Sequence, residues 1–156
     1  GGVLQVFSGT LAGASSSARH FSSIVGADLE VRAAGAAAFD LNAGFEHCVL
    51  LLSGDCELDG TSLEARQLYY LSPGRASAEF RSRMGARLLV LGGAPFAEQI
   101  LMWWNFVARM PEEIEAARAN WESQQGFGQV HNYNGPRLTA PPLLRLARIE
   151  HPTPLS

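Results

Sequence analysis

The chain has 156 residues, of which 47% are hydrophobic and 17% are charged, so it is a globular domain and not a disordered chain. Its formal net charge of −3 argues against nucleic-acid binding through bulk electrostatics, and its two cysteines are too few for a disulfide framework or a Cys-rich zinc module. The apolar runs are much shorter than the ~20 residues of a membrane helix and no secretory signal is visible, so we expect a reducing, cytoplasmic location.

Short candidate strands separated by turns fill residues 1–99. They are predicted at 3–7, 29–32, 48–52, 56–58, 68–71, 76–81 and 87–91. Segment 29–32 alternates between apolar and polar residues as a half-buried strand does, whereas 48–52 is apolar throughout, as in a strand covered on both faces. The small residues of 13–17 predict a loop. Short strands spaced roughly 8–12 residues apart indicate a β-sandwich or barrel.

A tight turn predicted at Ser53-Gly54 bears on the two cysteines. It would join the flanking strands as a hairpin and place Cys56 opposite Leu51, on a different face from Cys48. Side chains on opposite faces of a hairpin cannot be bridged without moving the backbone. We therefore expect no disulfide between the two cysteines.

The C-terminal part of the chain has a different pattern. Residues 100–108 are apolar and aromatic and predict one strand. Pro111 and two following acidic residues predict a helix start, and Ile114, Ala117 and Trp121 share one helix face. This helix should span about 111–125 and end at Gly126, and the proline-rich tail after it should be extended and irregular. We expect 1–99 to form the barrel and 100–156 to pack on it.

Three stretches together resemble a known family. Residues 44–55, followed by a turn at Gly60, are similar to the core hairpin of a cupin barrel. With residues 88–103, and with 105–109 and 112–114, their order and spacing resemble the C-terminal half of a pirin-family protein over nearly the whole chain. The resemblance implies an all-β, cupin-type double-stranded β-helix barrel (a jelly roll) with one C-terminal α-helix and an extended Pro-rich tail.

The same resemblance implies an activity and a cofactor outside this chain. Pirins are bicupins of two tandem barrels, so the resemblance implies that an N-terminal barrel is missing here. In the family that barrel carries a single iron site through three histidines and a glutamate. Quercetin dioxygenase activity and transcriptional co-regulation are both associated with the family.

The histidine pattern bears on whether this barrel binds a metal. A cupin iron site needs converging imidazoles, and a His-x-His pair provides them because residues i and i+2 of a strand point the same way. None of the four histidines forms such a pair; the residue two after His47 is Val49, and 72–83 contains no histidine. We therefore predict no metal or other cofactor in this chain and a structural role for His47, with a lone metal ligand as the alternative.

The resemblance also indicates which residues stand at the lost ligand positions. When the sequence is aligned with the two histidine motifs of a metal-bearing cupin barrel, Asp40 and Asn42 fall on the ligand positions of one motif. Glu79 and Arg81 fall near those of the other. An arginine there would replace the cation electrostatically, so we expect Arg81 to pair with Asp40 or Glu79. Alternatively, all four are solvated residues at the barrel mouth, or a shift of one residue turns every side chain to the other face.

The densest aromatic cluster follows the barrel. Trp103, Trp104 and Phe106 are close in sequence, Arg109 comes after them, and Trp121 lies on the predicted helix. Tryptophan and arginine are typical of binding hot spots, so one interpretation is a partner surface; the other is that the rings pack the helix onto the barrel. Because a strand alternates faces, Trp103 and Trp104 cannot both point inward, and we expect one of them to contact a second barrel or a second copy of the chain.

Three functional hypotheses follow. In the first, the chain is the metal-free structural and interaction half of a pirin-like, quercetin 2,3-dioxygenase-like bicupin, and its partner is an N-terminal cupin domain or a homodimer mate. In the second, it is a binding module that docks on an enzyme or a transcription factor without chemistry. In the third, it is a stand-alone small-molecule cupin enzyme that uses Asp40, Glu79 and His47. None of them involves direct contact with nucleic acid or a membrane. In the first two, this chain by itself is not expected to catalyse a reaction.

Overall fold

The computed structural model of the chain describes residues 1–143. These residues form two compact units, the first made of Gly1–Pro95 and the second beginning at Phe96, close to the boundary predicted after residue 99. Within residues 1–143, no helix is both long and apolar enough to span a membrane.

Two antiparallel sheets, with strands numbered along the chain, make up the first unit. In spatial order, the five-stranded sheet consists of β1 (Gly2–Ser8), β4 (Ile24–Val31), β11 (Ala86–Gly93), β6 (Glu46–Gly54) and β9 (Leu68–Leu71). The four-stranded sheet consists of β5 (Gly35–Asp40), β10 (Ser77–Ser82), β7 (Cys56–Leu58) and β8 (Thr61–Leu63). A short separate pair is formed by β2 (Thr10–Leu11) and β3 (Ala14–Ser15).

One hydrophobic core joins the two sheets. Alternate side chains of β4, β10 and β11 are buried, as period-2 strands with one inward face require. The largest side chains of this core, each at most 2% exposed, include Phe80 and Leu58 from the four-stranded sheet and Leu29, Leu51 and Leu88 from the five-stranded sheet. The predicted all-β cupin-type barrel is therefore confirmed.

The hairpin predicted around the two cysteines is wrong. β6 and β7 belong to different sheets, so the chain crosses from one sheet to the other between them. Gly54 permits the crossing because its φ is +85°, a conformation that favours glycine. Asp55 then anchors it: its backbone N–H donates to the carbonyl of Gly85, and its carboxylate accepts from the N–H groups of Arg83 and Met84. These last two bonds lower the pKa of Asp55.

Two other segments also differ from the sequence analysis. The alanine-rich strand β5 was not predicted, and it pairs with β10 along its whole length. The predicted loop at 13–17 contains β3, which pairs with β2. In both places pairing with a partner strand, and not local residue preference, determines the backbone.

The second unit begins with a hairpin and not with the single strand predicted over 100–108. Its strands β12 (Leu101–Trp103) and β13 (Phe106–Ala108) are antiparallel, with Trp103 opposite Phe106. Trp104 lies in the turn with φ +51°, which is uncommon for a residue with a bulky side chain. The alternation argument for Trp103 and Trp104 therefore fails, because Trp104 is not in a strand.

The helix of the second unit, α1 (Pro111–Glu122), begins where it was predicted and ends earlier than residue 125. Its start is stabilised by Glu113, whose carboxylate accepts from the backbone N–H groups of Arg109 (2.8 Å) and Met110 (3.0 Å). These bonds lower the pKa of Glu113. Ile114 is fully buried on the predicted apolar face.

The described part of the tail is irregular and lies along α1. The indole N–H of Trp121 donates to the carbonyl of Leu138 (2.8 Å), and the guanidinium of Arg118 donates to the carbonyl of Pro141 (2.9 Å). The prediction of an irregular tail thus holds for residues 127–143. Its remainder, 144–156, lies outside the described residues.

Candidate functional site

His47 lies inside the first unit, on the inward side of β6, and is only 2% exposed. Gly92 is its register partner on β11, and a Cβ there would lie 2.6 Å from Cδ2 of His47, so glycine leaves the space that the imidazole occupies. The ring of Phe45 packs beside it, with 6.1 Å between ring centroids. Burial lowers the pKa of His47, which keeps the imidazole neutral near neutral pH.

A cavity of about 250 Å³ lies beside this imidazole and is also lined by His20 and Asn42. Both ring nitrogens of His47 are buried, and neither has a hydrogen-bond partner within residues 1–143. A buried polar group without a partner is uncommon in proteins and calls for an explanation. Sequence reasoning identified His47 and Asn42 but not that they line one cavity.

The predicted ligand positions do not converge on this cavity. Glu79 and Arg81 alternate with buried Ala78 and Phe80, so they lie on the outer face of the four-stranded sheet. Their predicted ion pair is present, at 2.6 Å between Arg81 Nη2 and Glu79 Oε1. Asp40 is exposed at the end of β5 and takes no part in this pair.

Asn42, the fourth predicted position, stabilises a turn. Its side-chain Oδ1 accepts a hydrogen bond from the backbone N–H of Gly44 (2.9 Å). Asp40 and Glu79 face outward, whereas His47 faces inward, so the three side chains of the stand-alone enzyme hypothesis are not brought together.

The residues of this barrel do not fit the iron site of a cupin. Within residues 1–143, no group of three His, Cys, Asp or Glu side chains could hold a metal ion together. The inward positions next to the predicted ligands are apolar: Leu41, Ala78 and Phe80 are all buried. Carbon side chains offer no ligand atoms, and an arginine beside Glu79 repels a cation.

The aromatic residues form a packed cluster within the second unit. Trp104 makes edge-to-face contacts with Phe106 and Trp121, at 5.3 and 5.5 Å between ring centroids. Trp103 stacks on Phe106 at 6.2 Å, and Phe106 is buried. Both Trp103 and Trp104 are half-buried, so neither indole is left uncovered as the single-strand argument required. Arg109 is exposed and pairs with Glu98 at 3.4 Å.

A large apolar surface on the first unit was not predicted. We call it the apolar face, and it consists of Phe7, Ile24, Leu50, Leu52, Leu68, Leu89 and Leu91 on the outer side of the five-stranded sheet. Leu89, Leu50 and Leu68 are register partners across three neighbouring strands. Leu68 is 60% exposed and Phe7 is 46% exposed. The signal was present in the sequence as the apolar run 48–52, which predicted a covered strand, whereas Leu52 is exposed.

Polar pairs border the apolar face. Arg87 donates three hydrogen bonds to the carboxylate of Asp28, the shortest at 2.6 Å, and these lower the pKa of Asp28. At the other side the hydroxyl of Tyr70 donates to Glu46 (2.9 Å). Partial burial and this bond raise the pKa of Tyr70. An apolar centre with a polar border is the usual organisation of a protein interface.

The two cysteines are both free thiols. Cys56 is buried in the core, and burial raises its pKa to about 11. Cys48 is half-buried between Leu91 and Tyr70 on the outer side of the five-stranded sheet, and its pKa is also raised by burial. The predicted absence of a bridge agrees with the structure, although the hairpin on which it was based does not exist.

Comparison with known proteins places the chain in a family. The family model of the pirin C-terminal cupin domain matches residues 26–128. A Pseudomonas aeruginosa protein named "Putative quercetin 2,3-dioxygenase" is 39% identical over 144 residues, which are 92% of this chain and 46% of that protein. A "Pirin-like protein" of Caulobacter vibrioides is 30% identical over 78 residues, which are 50% of this chain and 26% of that protein.

A solved structure agrees with these relatives. The crystal structure of quercetin 2,3-dioxygenase from Acinetobacter baumannii matches with a TM-score of 0.84 and 33% identity, over 94% of this chain and 50% of that one. The chain thus spans at most about half the length of these relatives. It belongs to the pirin family and corresponds to the family's C-terminal cupin domain.

Proposed function

We propose that this chain is the metal-free interaction half of a pirin-type, quercetin 2,3-dioxygenase-like protein. It supplies a rigid barrel with a docking surface, and the remaining half of the protein carries the dioxygenase chemistry. The observation that carries the proposal is the apolar face, in a chain that spans 46% of its Pseudomonas aeruginosa relative.

The composition of the barrel interior supports the proposal that the chemistry belongs to the other half of the protein. Oxidation of a flavonol by dioxygen requires a metal or another redox cofactor, since no amino-acid side chain supplies that chemistry. The inward positions of this barrel beside the predicted ligands hold Leu41, Ala78 and Phe80. A site for iron is therefore expected in the remaining half.

The apolar face supports a macromolecular partner. Contiguous exposed apolar area on a folded unit marks an interaction surface. Here Leu89, Leu50 and Leu68 form one row across three neighbouring strands. The ion pair of Asp28 with Arg87 and the hydrogen bond of Tyr70 to Glu46 lie at its borders, where exposed polar groups set orientation more than affinity.

The occupant that we propose for the apolar face is the other cupin barrel of the same protein. The relatives that match this chain are about twice its length, so a second folded half is available at high effective concentration. A second copy of this chain is the competing occupant, and the experiment below distinguishes the two.

Co-expression with the other half of a relative tests the docking. The chain would be produced together with the remaining half of the Pseudomonas aeruginosa relative, carrying a tag, and the captured amount compared for the wild type, Leu68→Arg and Ala38→Arg. Leu68 is on the apolar face, and Ala38 is an exposed residue on the outer side of the four-stranded sheet. We expect Leu68→Arg to weaken capture more than about tenfold, because an unpaired charge would be buried, and Ala38→Arg to have no effect.

Equal capture of both variants would contradict the proposed surface. A wild-type chain that forms a homodimer sensitive to Leu68→Arg and ignores the other half would show that a second copy is the occupant. Thermal unfolding of both variants checks that neither substitution has unfolded the barrel.

Metal analysis tests the other part of the proposal. The chain, purified without chelator beside the full-length Pseudomonas aeruginosa relative, should contain no stoichiometric iron. With quercetin and added ferrous iron it should show no oxygen uptake above a heat-inactivated control. Stoichiometric metal that is lost in His47→Ala would contradict the proposal.

A further inference from the structure

The cavity beside His47 has the size of a site for one small ring. Its volume is about 250 Å³, below the ~300–1,000 Å³ of pockets that take drug-sized ligands. Leu11, Val25 and Phe45 form its apolar part, and Thr10, Ser23 and Asn42 add uncharged polar groups. Polar and apolar groups contribute about equally to the lining, and polar groups that converge in this way fix the orientation of a ligand in a small-molecule site.

His47 supplies an unsatisfied hydrogen-bonding group in this cavity. The side chain is 2% exposed, and within residues 1–143 neither Nδ1 nor Nε2 has a partner. A neutral imidazole has one donor and one acceptor nitrogen. The ring occupies space that a side chain at position 92 would fill, since a Cβ there would lie 2.6 Å from Cδ2 of His47. A ligand hydroxyl that pairs with either nitrogen would recover the cost of burying it unpaired.

The charge of the lining limits the class of ligand. The residues that line the cavity include no aspartate, glutamate or arginine. Burial favours the neutral form of the His47 imidazole, and His20 is the other titratable side chain in the lining, so no carboxylate or guanidinium is available to compensate an ionised ligand. An uncharged ligand is therefore preferred over an anion or a cation of the same shape.

We propose that this cavity binds a small uncharged alcohol or phenol whose hydroxyl group pairs with His47. The ring of Phe45, 6.1 Å from the imidazole between centroids, favours a flat ligand beside it. The site is inside the first unit and shares only Ile24 with the apolar face, so it goes beyond the docking role and does not depend on it.

Nuclear magnetic resonance of the histidine side chains tests the proposal on the intact chain. Phenol would be titrated into protein with ¹⁵N-labelled histidine, with toluene as a ligand of similar shape without the hydroxyl and benzoate as a charged ring. The His47 resonances are recognised as those that stay neutral to the lowest pH, since burial lowers the pKa of His47. His131 is exposed in the second unit and serves as the internal control.

The expected result is a saturable shift of the His47 ring-nitrogen resonances with phenol, and none at His131. Toluene should bind at least about tenfold more weakly, the factor that corresponds to one lost hydrogen bond in a buried site. Benzoate should not shift the His47 resonances at all.

Two variants separate the hydrogen bond from simple filling of the cavity. His47→Leu should abolish the preference for phenol over toluene, and His131→Leu, the same change on the surface, should leave it intact. If His47→Leu does not fold, the wild-type titration decides alone. Unshifted His47 resonances with phenol, or equal binding of toluene and phenol, would overturn the proposal.

Discussion

The two sheets of the barrel share one core but have different outer faces. The outer side of the five-stranded sheet carries leucines in adjacent strands, whereas that of the four-stranded sheet carries Glu57, Glu79 and Arg81. Arg75 and Asp59 add a further ion pair beside β7. Strands that are covered on both sides are apolar on both sides, and strands that face water on one side carry polar residues there.

This difference indicates which side of the barrel is suited to a partner. A core alone requires only the inward residues to be apolar, so the core does not explain the apolar face. Leu68 and Phe7 gain little from their present exposure but would gain from a partner. The charged outer side needs no partner.

The largest effect that we predict concerns the shared core. Phe80 is fully buried and stacks on Phe39 at 5.5 Å between ring centroids. Phe80→Ala should lower the free energy of unfolding by about 3–5 kcal/mol, measured by urea denaturation. Because one core joins both sheets, amide hydrogen exchange should accelerate in the five-stranded sheet too. Acceleration confined to the four-stranded sheet would show that the sheets are not one cooperative unit.

A smaller effect is expected inside the five-stranded sheet. Gly92→Ala places a Cβ 2.6 Å from the His47 ring and 2.7 Å from the Glu46 carbonyl oxygen. Overpacking of this kind should cost about 1–3 kcal/mol of unfolding free energy. Gly44→Ala is the control, since the nearest atom to its Cβ is Asn42 Oδ1 at 3.3 Å. Equal denaturation midpoints for the two variants would contradict the crowding at His47.

The ion pair at the border of the apolar face should give a still smaller effect that depends on pH. Arg87 holds the pKa of Asp28 below its ordinary value of 3.8, so the unfolded chain takes up this proton first as the pH falls. The stabilisation is therefore complete above pH 3.8 and is lost as the pH falls through the lowered pKa.

Thermal unfolding of the wild type and of Asp28→Asn, followed from neutral to acidic pH, measures the stabilisation that this ion pair provides. The wild type should be more stable at neutral pH, by less than the effect of Gly92→Ala because the Arg87 side chain is 54% exposed. The thermal stabilities of the two proteins should become equal at acidic pH. A difference that persists there would mean that the carboxylate charge is not its cause.

The smallest effect should come from the charged outer side of the four-stranded sheet. The side chains of Arg81 and Glu79 are 61% and 43% exposed, although their ion pair measures 2.6 Å. Exposed pairs contribute little, so Arg81→Ala should change the unfolding free energy by no more than about 0.5 kcal/mol in urea denaturation. A larger loss would indicate that this face is less solvated than the structure shows.

Local periodicity allowed a β-sandwich or barrel and the helix to be predicted, and the family resemblance reduced the first to a cupin-type barrel. The alternation of 29–32 and the spacing of Ile114, Ala117 and Trp121 each report one buried face. The ion pair of Glu79 and Arg81 followed from the family resemblance, but its position on the outer face did not, because the alignment leaves the register open by one residue.

Other features depend on contacts that local sequence does not report. The left-handed φ of Trp104 breaks a run that reads as one strand, and nothing in the indole side chain signals a turn. The crossing at Asp55 depends on hydrogen bonds to residues 83 and 84, far along the chain. The cavity brings together Thr10, Asn42 and His47 from three separate segments, so no motif could reveal it.

Hydroxyl-radical footprinting of the chain in two settings tests whether the apolar face docks the other half of the protein. One is the chain alone, and the other is a chimera in which it replaces the C-terminal half of the Pseudomonas aeruginosa relative. Oxidation of Phe7, Leu52 and Leu68 should be strong in the chain alone and suppressed in the chimera, because in our proposal the second barrel covers the apolar face. Met84, which is 79% exposed, should be oxidised equally in both. Unchanged oxidation of the three apolar residues would contradict the claim that this face docks the other half.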